Sequence, residues 1–124
     1  MHITVMSGSF AVCRLVNTPD RRDTLGDAKP FFLAVTSDEI SLVCHSDVVP
    51  SDALEVEDGW ALLRVAGPLD FGLIGVIAGL SRTLAEAGIP IFVTSTYLTD
   101  YLMVKADRLD EAVRALTDAG HTVG

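Results

Sequence analysis

Apolar residues recur at helical spacing in two places in the second half of the chain. The first helix is predicted to begin at about residue 70, because apolar side chains follow at steps of four, three and four: Leu73, Ile77, Leu80 and Leu84. Asp70 is its predicted N-cap and Gly88 its predicted left-handed end. A second helix is predicted over residues 109–119 from the same kind of spacing, with the apolar stripe Leu109, Val113 and Leu116.

Four segments around these helices are rich in β-branched and aromatic residues and predict strands. In chain order they are WALLRVAG (60–67), IPIFVTS (89–95), YLMVKA (101–106) and HTV (121–123). Residues 96–100 are expected to join the second and third strands as a hairpin loop. A strand–helix–strand crossover makes its two strands parallel and leaves both helices on one face of the sheet. This half of the chain therefore predicts an α+β fold, a ferredoxin-like βαββαβ sandwich.

The first half of the chain resembles a helix-poor copy of the second. FFLAVTS (31–37) and ISLVCHS (40–46) predict a hairpin that parallels IFVTS and YLMVK. HITVM is expected to be the strand before this hairpin, with SFAVCRLV as a further strand. The segments NTPDRRDTLGDAKP and SDVVPSD stand where the two helices should lie, and their polar residues, Pro and Gly allow a turn or two at most. We therefore predict a tandem of a degenerate unit over residues 1–58 and a complete unit over residues 59–124.

The charge of the chain restricts its partners. It has 9 basic and 17 acidic residues, a net charge of −8, which predicts no nucleic acid partner and no attraction to anionic lipid. An RNA-binding module of the same fold needs basic and aromatic residues on its central strands, and that motif is missing. The N-terminus does not read as a signal peptide and no stretch is long enough to span a membrane, so we expect a cytoplasmic location. Cys13 and Cys44 lack metal-type spacing and predict two buried, reduced thiols.

Two polar segments follow predicted strands and are candidate binding sites. GPLDFG (67–72) combines glycines that permit close approach with a helix N-terminus, which suits a carboxylate or phosphate, while Asp70 could meet an ammonium group. STYLTD (95–100) collects hydroxyls, a carboxylate and an aromatic ring in a loop. Each segment also has a purely structural interpretation, as a capped helix start and as an ordinary polar hairpin.

Arrangements of residues typical of catalysis are not found in the sequence. No G-x-S-x-G, H-E-x-x-H, P-loop or dinucleotide fingerprint occurs, and the three histidines are scattered. We therefore predict a binding protein and not an enzyme, with no cofactor and no metal ion.

The residues VAGPLDFGLIG, AGIPIF and STYLTDYLMVK together resemble the ACT domain. Within that family the pattern is similar to the branch shared by small bacterial tandem-ACT proteins and the CASTOR-type cytosolic arginine sensors of animals. The match covers residues 60–123, with a weaker match over residues 31–44. The resemblance implies a regulatory module that binds amino acids or related metabolites at the interface between two ACT units, and it makes both predicted units ACT-like.

The resemblance also implies which residues form the site. Its ligand surface combines the strand-to-helix turn with the hairpin: Gly67, Asp70, Leu73, Ile74, Thr96, Tyr97 and Asp100. Pro90 and Ile91 form the partner surface of a paired unit, so one complete unit per chain implies a homodimer with two equivalent sites. At the position of Asp70 the arginine sensors have a Glu-containing turn. The resemblance therefore does not imply that this protein is specific for arginine. The alternative function is a ligand-free ACT interaction subunit that binds a partner enzyme.

Overall fold

The computed structural model describes residues 1–19, 25, 27–66 and 74–124. Within these ranges the chain forms eight strands and two α-helices, an α+β architecture. In chain order they are β1 (His2–Val5), β2 (Phe10–Leu15), β3 (Phe32–Val35), β4 (Ile40–His45), β5 (Glu55–Val65), α1 (Val76–Glu86), β6 (Phe92–Ser95), β7 (Asp100–Lys105), α2 (Leu109–Asp118) and β8 (Thr122–Val123). No helix in the described ranges is long and apolar enough to cross a membrane.

The chain divides into two compact units that are not simply its two halves. The terminal unit consists of Met1–Ser7 and Ala61–Gly124, and the inserted unit consists of Gly8–Trp60. The sequence predicts HITVM as the strand before the first hairpin, in the unit over residues 1–58, but β1 belongs to the terminal unit, where Ile3 pairs with Val65 of β5. Alternating apolar residues predict that a segment is a strand, and they do not say which strand it pairs with.

The terminal unit has the predicted ferredoxin-like fold. Its strand order is β6-β7-β5-β1-β8, and β5, α1, β6, β7, α2 and β8 follow one another as βαββαβ. β1 lies between β5 and β8, antiparallel to the first and parallel to the second. The two helices contact each other and cover one core: Ile3, Ala61, Leu63, Val65, Leu80, Leu84, Ile89, Leu102, Val104, Ala112 and Leu116.

The start of α1 differs from the sequence prediction. The helix begins at Val76 and its N-cap is Gly75, whose φ of +81° lies in the left-handed region. Because a left-handed residue cannot continue an α-helix, α1 starts later than predicted and Asp70 is not its N-cap. Asp70 itself lies outside the described residues. The predicted stripe is confirmed at Leu80 and Leu84, which are buried.

The ends of both helices agree with the sequence. Gly88, at a φ of +73°, ends α1, and its N–H donates to the Ala85 carbonyl at 2.9 Å. The helix predicted over residues 109–119 is α2, with Leu116 fully buried. Asp110 and Glu111 occupy its first turn, where the positive end of the helix dipole favours acidic side chains.

The inserted unit is helix-poor, as predicted. Its strand order is β3-β4-β2-β5, which is the order of a ferredoxin-like sheet, and its described residues contain no α-helix. A short 3₁₀ helix, Ser46–Val48, stands where the second helix would lie. The core of this unit is small and is formed mainly by β2 and β4: Ala11, Cys13, Leu15, Leu25, Leu42 and Cys44.

The two hairpins, β3–β4 and β6–β7, have the same register, and corresponding residues are 60 positions apart throughout. Phe32 pairs with Val43, and 60 residues later Phe92 pairs with Met103. Each hairpin has four paired positions and a four-residue loop, at residues 36–39 and 96–99. The repeat expected from FFLAVTS and IFVTS is therefore present in the register of the strands.

The two cysteines are buried and free, as the sequence predicts. Cys13 faces Leu42 and Cys44 faces Ala11 in the β2–β4 ladder, so both thiols lie on the core face of the inserted unit. Burial is the main cause that raises the pKa of Cys44 to about 12, and burial also raises the pKa of Cys13. Both thiols are therefore protonated near neutral pH and chemically inert.

Candidate functional site

The loop of the β6–β7 hairpin is a closed four-residue turn. The Thr96 N–H donates to the Thr99 carbonyl at 2.8 Å, and the Thr96 hydroxyl donates to the same carbonyl at 3.1 Å. The Thr99 N–H in turn donates to the Thr96 hydroxyl at 3.3 Å. Asp100, which was expected in the loop, is instead the first residue of β7. The strand ladder therefore fixes the position of Asp100 more firmly than a loop would.

Thr99 ties this loop to the end of β5. Of the hydroxyl, amide and charged side chains in the described ranges, only that of Thr99 is buried, at 5% exposure. Its hydroxyl donates to the Val65 carbonyl at 2.6 Å. Val65 is the last residue of β5, which leads into the predicted strand-to-helix turn. The hairpin and the end of that strand therefore lie at the same end of the sheet, as the sequence predicts.

Asp100 forms a polar pair across the hairpin. It lies opposite Ser95 in the β6–β7 ladder, and the Ser95 hydroxyl donates to Asp100 Oδ1 at 2.6 Å. The alternation of side chains puts this pair on the same face as Leu102, which packs in the core beneath the helices. Within the described ranges no cation pairs with Asp100, so its half-buried carboxylate has one oxygen hydrogen-bonded by Ser95 and no opposite charge.

Large apolar side chains of the terminal unit are exposed on the hairpin loop and before α1. Tyr97 and Leu98 occupy the tip of the hairpin loop, and Leu98 is 59% exposed. Ile74, two residues before α1, is 97% exposed. A carboxylate with apolar side chains nearby suits a ligand that has a cationic group and an aliphatic part.

The residues predicted for the partner surface lie before β6. Pro90 is exposed, whereas Ile91 is half-buried and packs against the core of the terminal unit. Three further predicted site residues, Gly67, Asp70 and Leu73, lie outside the described residues. The structure thus brings together Thr96, Tyr97 and Asp100 on one hairpin.

The arrangement suits binding, and the described residues of the hairpin offer no reacting pair. The described residues hold no group of three or more His, Cys, Asp or Glu side chains that could bind a metal ion. Asp100 is hydrogen-bonded to a hydroxyl, and no histidine or cysteine takes part in that contact. The groups on the hairpin can supply charge complementarity, hydroxyl hydrogen bonds and apolar contact to a small molecule.

The sequence model of the ACT domain family matches residues 55–118, which is more than half of the chain. The chain belongs to the ACT domain family. The matched residues contain the whole of β5, both helices and the β6–β7 hairpin. The family assignment therefore covers all of the described hairpin site.

Solved structures with the same fold extend the match to the whole chain. Protein Atu0741 from Agrobacterium tumefaciens is 29% identical, with a TM-score of 0.88 over 99% of this chain and 91% of that one. VC0802 from Vibrio cholerae, a protein of unknown function and possible transport protein, is 20% identical, with a TM-score of 0.71 over 94% and 88%. The regulatory subunit of aspartate kinase from Thermus thermophilus is 12% identical, with a TM-score of 0.61 over 95% and 96%. The last two similarities concern the fold alone.

Proposed function

We propose that the protein is a cytoplasmic regulatory protein that binds a small amino-acid-like ligand at an interface between ACT units of two copies. The observation that carries the proposal is the Ser95–Asp100 pair, a carboxylate fixed at a strand end with no cation paired to it among the described residues. The ACT family and the fold shared with aspartate kinase regulatory subunits support a regulatory role without catalysis. The motif residues favour the branch that includes the CASTOR-type sensors.

The cationic end of the ligand is held by carboxylates. Asp100 and Asp70 bind an ammonium or guanidinium group, because opposite charges in a partly desolvated site form strong hydrogen bonds. Backbone N–H groups that follow Gly67 bind a carboxylate of the same ligand. Thr96 and Tyr97 complete this side of the pocket. A zwitterionic molecule matches both sets of groups.

The aliphatic part of the ligand lies against apolar side chains. Leu73 and Ile74 form one wall, and Pro90 and Ile91 of a second copy form the other. In this arrangement residues 59–124, with β1 added to the sheet, form the binding domain, and the remainder of residues 1–58 forms its degenerate partner domain. Binding then stabilises the dimer or reshapes its edge, which transmits the signal to another protein.

A panel of amino acids and polyamines, screened by thermal unfolding, tests the proposed function. A ligand at about 100 times its Kd adds roughly 2.7 kcal/mol to the free energy of unfolding. For a chain of this size that raises the melting temperature by about 10 °C. Failure of every compound at millimolar concentration to raise the melting temperature would contradict the ligand-binding proposal and favour the ligand-free interaction subunit.

Sedimentation velocity tests whether two copies of the chain associate in solution. The edge strand β3 has no charged residue, and its Leu33 and Val35 side chains are exposed, Val35 by 61%. Proteins usually protect sheet edges with charges, so an unprotected edge favours association of two copies. We expect a dimer at micromolar concentration, and Val35→Lys is expected to weaken it. Val16→Lys, at an exposed site after β2, is the matched control. A strict monomer that still responds to ligand would contradict a shared pocket.

A further inference from the structure

The two hairpin loops close in the same way but differ at their last residue. In the inserted unit the Thr36 N–H donates to the Glu39 carbonyl at 2.9 Å, and the Glu39 N–H donates to the Thr36 hydroxyl at 3.1 Å. Thr96 and Thr99 make the same two bonds 60 residues later. The last loop residue is therefore Glu39 in one repeat and Thr99 in the other, on matching backbones.

Only one of these two residues connects its loop to another strand. Thr99 is buried and donates to the Val65 carbonyl, whereas Glu39 is exposed and its carboxylate makes no hydrogen bond to a described residue. On the β1 side of β5 the Ala66 N–H donates to the His2 carbonyl. Because antiparallel ladders alternate, the Val65 carbonyl then faces away from β1, on the side of β7. The Thr99 hydroxyl thus supplies the donor that this carbonyl needs.

A second difference accompanies the first. The polar pair of Ser95 and Asp100 in the terminal unit corresponds to Val35 and Ile40 in the inserted unit, at the same ladder position. The repeat that carries the carboxylate is also the repeat whose loop is fixed to the neighbouring strand.

We propose that Thr99 is the positioning residue of the ligand site. Its hydroxyl holds the hairpin against the end of β5, so that Asp100, the next residue, keeps a fixed distance from Val65. Binding groups act together only when their separation is held fixed before the ligand arrives. This inference rests on the proposed function for its effect on affinity, while the mechanical coupling of hairpin and strand can be measured without any ligand.

Three variants separate positioning from general stability. Thr99→Val keeps the shape of the side chain and removes the hydroxyl, and Thr99→Ser restores the hydroxyl. Thr117→Val is the matched control, because the Thr117 hydroxyl donates to the Val113 carbonyl at 2.7 Å within α2 and connects no other element. Should Thr99→Val fold poorly, Thr99→Ala compared with Thr99→Ser still isolates the hydroxyl, because both variants lack the methyl group and only the serine variant keeps the hydroxyl.

Amide hydrogen exchange measures the coupling directly. In Thr99→Val we expect the amides of Thr96 and Ala66 to exchange about tenfold faster, because local opening of loop and strand end becomes easier. Thr99→Ser should restore slow exchange, and Thr117→Val should leave both amides unchanged. Unchanged protection of Thr96 and Ala66 in Thr99→Val would overturn the coupling.

Affinity for a compound from the amino acid and polyamine panel measures the consequence for binding. We expect the Kd to rise about tenfold or more in Thr99→Val, to stay within about threefold in Thr99→Ser, and to be unchanged in Thr117→Val. A Kd equal to wild type in Thr99→Val would overturn the positioning role while leaving the proposed function intact. If no compound binds the wild-type protein, the proposed function fails, and the exchange experiment alone decides whether Thr99 couples the two elements.

Discussion

Replacing Leu102 with alanine is expected to lower the free energy of unfolding by about 2–5 kcal/mol. Leu102 is 1% exposed and lies in β7, with its side chain in the core beneath α1 and α2. The substitution removes buried apolar surface and leaves a cavity that packed neighbours fill only in part. Urea unfolding of the variant measures the change, with the slope of the unfolding transition as a check that the unfolded state is unchanged.

Leu98 provides the matched control for this substitution. It has the same side chain but sits at the tip of the hairpin loop, exposed to solvent. Leu98→Ala is therefore expected to change the free energy of unfolding by about 0.5 kcal/mol or less. Equal effects of the two substitutions would mean that the register of β6 and β7 places the wrong face of the hairpin in the core.

Asp100→Asn is expected to abolish the stabilisation by ligand, roughly 2.7 kcal/mol at 100 times the wild-type Kd, and to leave the protein folded. Asparagine keeps an oxygen that accepts the Ser95 hydroxyl, so the strand pair persists while the negative charge is lost. A buried or half-buried cation without its carboxylate partner binds poorly, because its desolvation is no longer compensated. Melting curves with and without the ligand measure the loss.

Asp118→Asn is the control for this charge change. Asp118 is exposed at the end of α2, on the helix and away from the strand ladder that holds Asp100. We expect Asp118→Asn to keep the full ligand-induced shift. If Asp100→Asn also kept the full ligand-induced shift in melting temperature, the Ser95–Asp100 pair would not be part of the ligand site.

Local patterns predicted those elements whose position depends on neighbouring residues in the sequence. The apolar spacing that ends at Leu116 fixes α2 to within one residue, and Gly88 marks the end of α1. The hairpins were predictable because FFLAVTS and IFVTS are both rich in β-branched and aromatic residues and both lead into polar turns. The polar segments NTPDRRDTLGDAKP and SDVVPSD also predicted that the first unit is poor in helix.

Features that depend on distant residues could not be predicted in the same way. The strand signal in HITVM contains nothing that selects β5 and β8 as its neighbours. The helical spacing of apolar residues includes Leu73 and so predicts a start near residue 70, whereas α1 begins after Gly75. A left-handed glycine and an ordinary helical glycine have the same letter in the sequence, so only the backbone distinguishes them.

The candidate site was predicted in part. The STYLTD segment identified the hairpin, whereas the pairing of Asp100 with Ser95 across the two strands was not predicted. Thr99 belongs to the same segment, but no pattern shows that its hydroxyl points inward to a carbonyl of another strand. Its burial results from the packing of β7 beside β5, which joins residues far apart in the sequence.

A crystal structure of the protein with a compound that raises its melting temperature tests the central claim most directly. The account predicts that the cationic group of the compound lies about 3 Å from the Asp100 carboxylate, with the aliphatic part against Ile74. Density for the compound at the inserted unit, or anywhere out of reach of Asp100, would contradict the account.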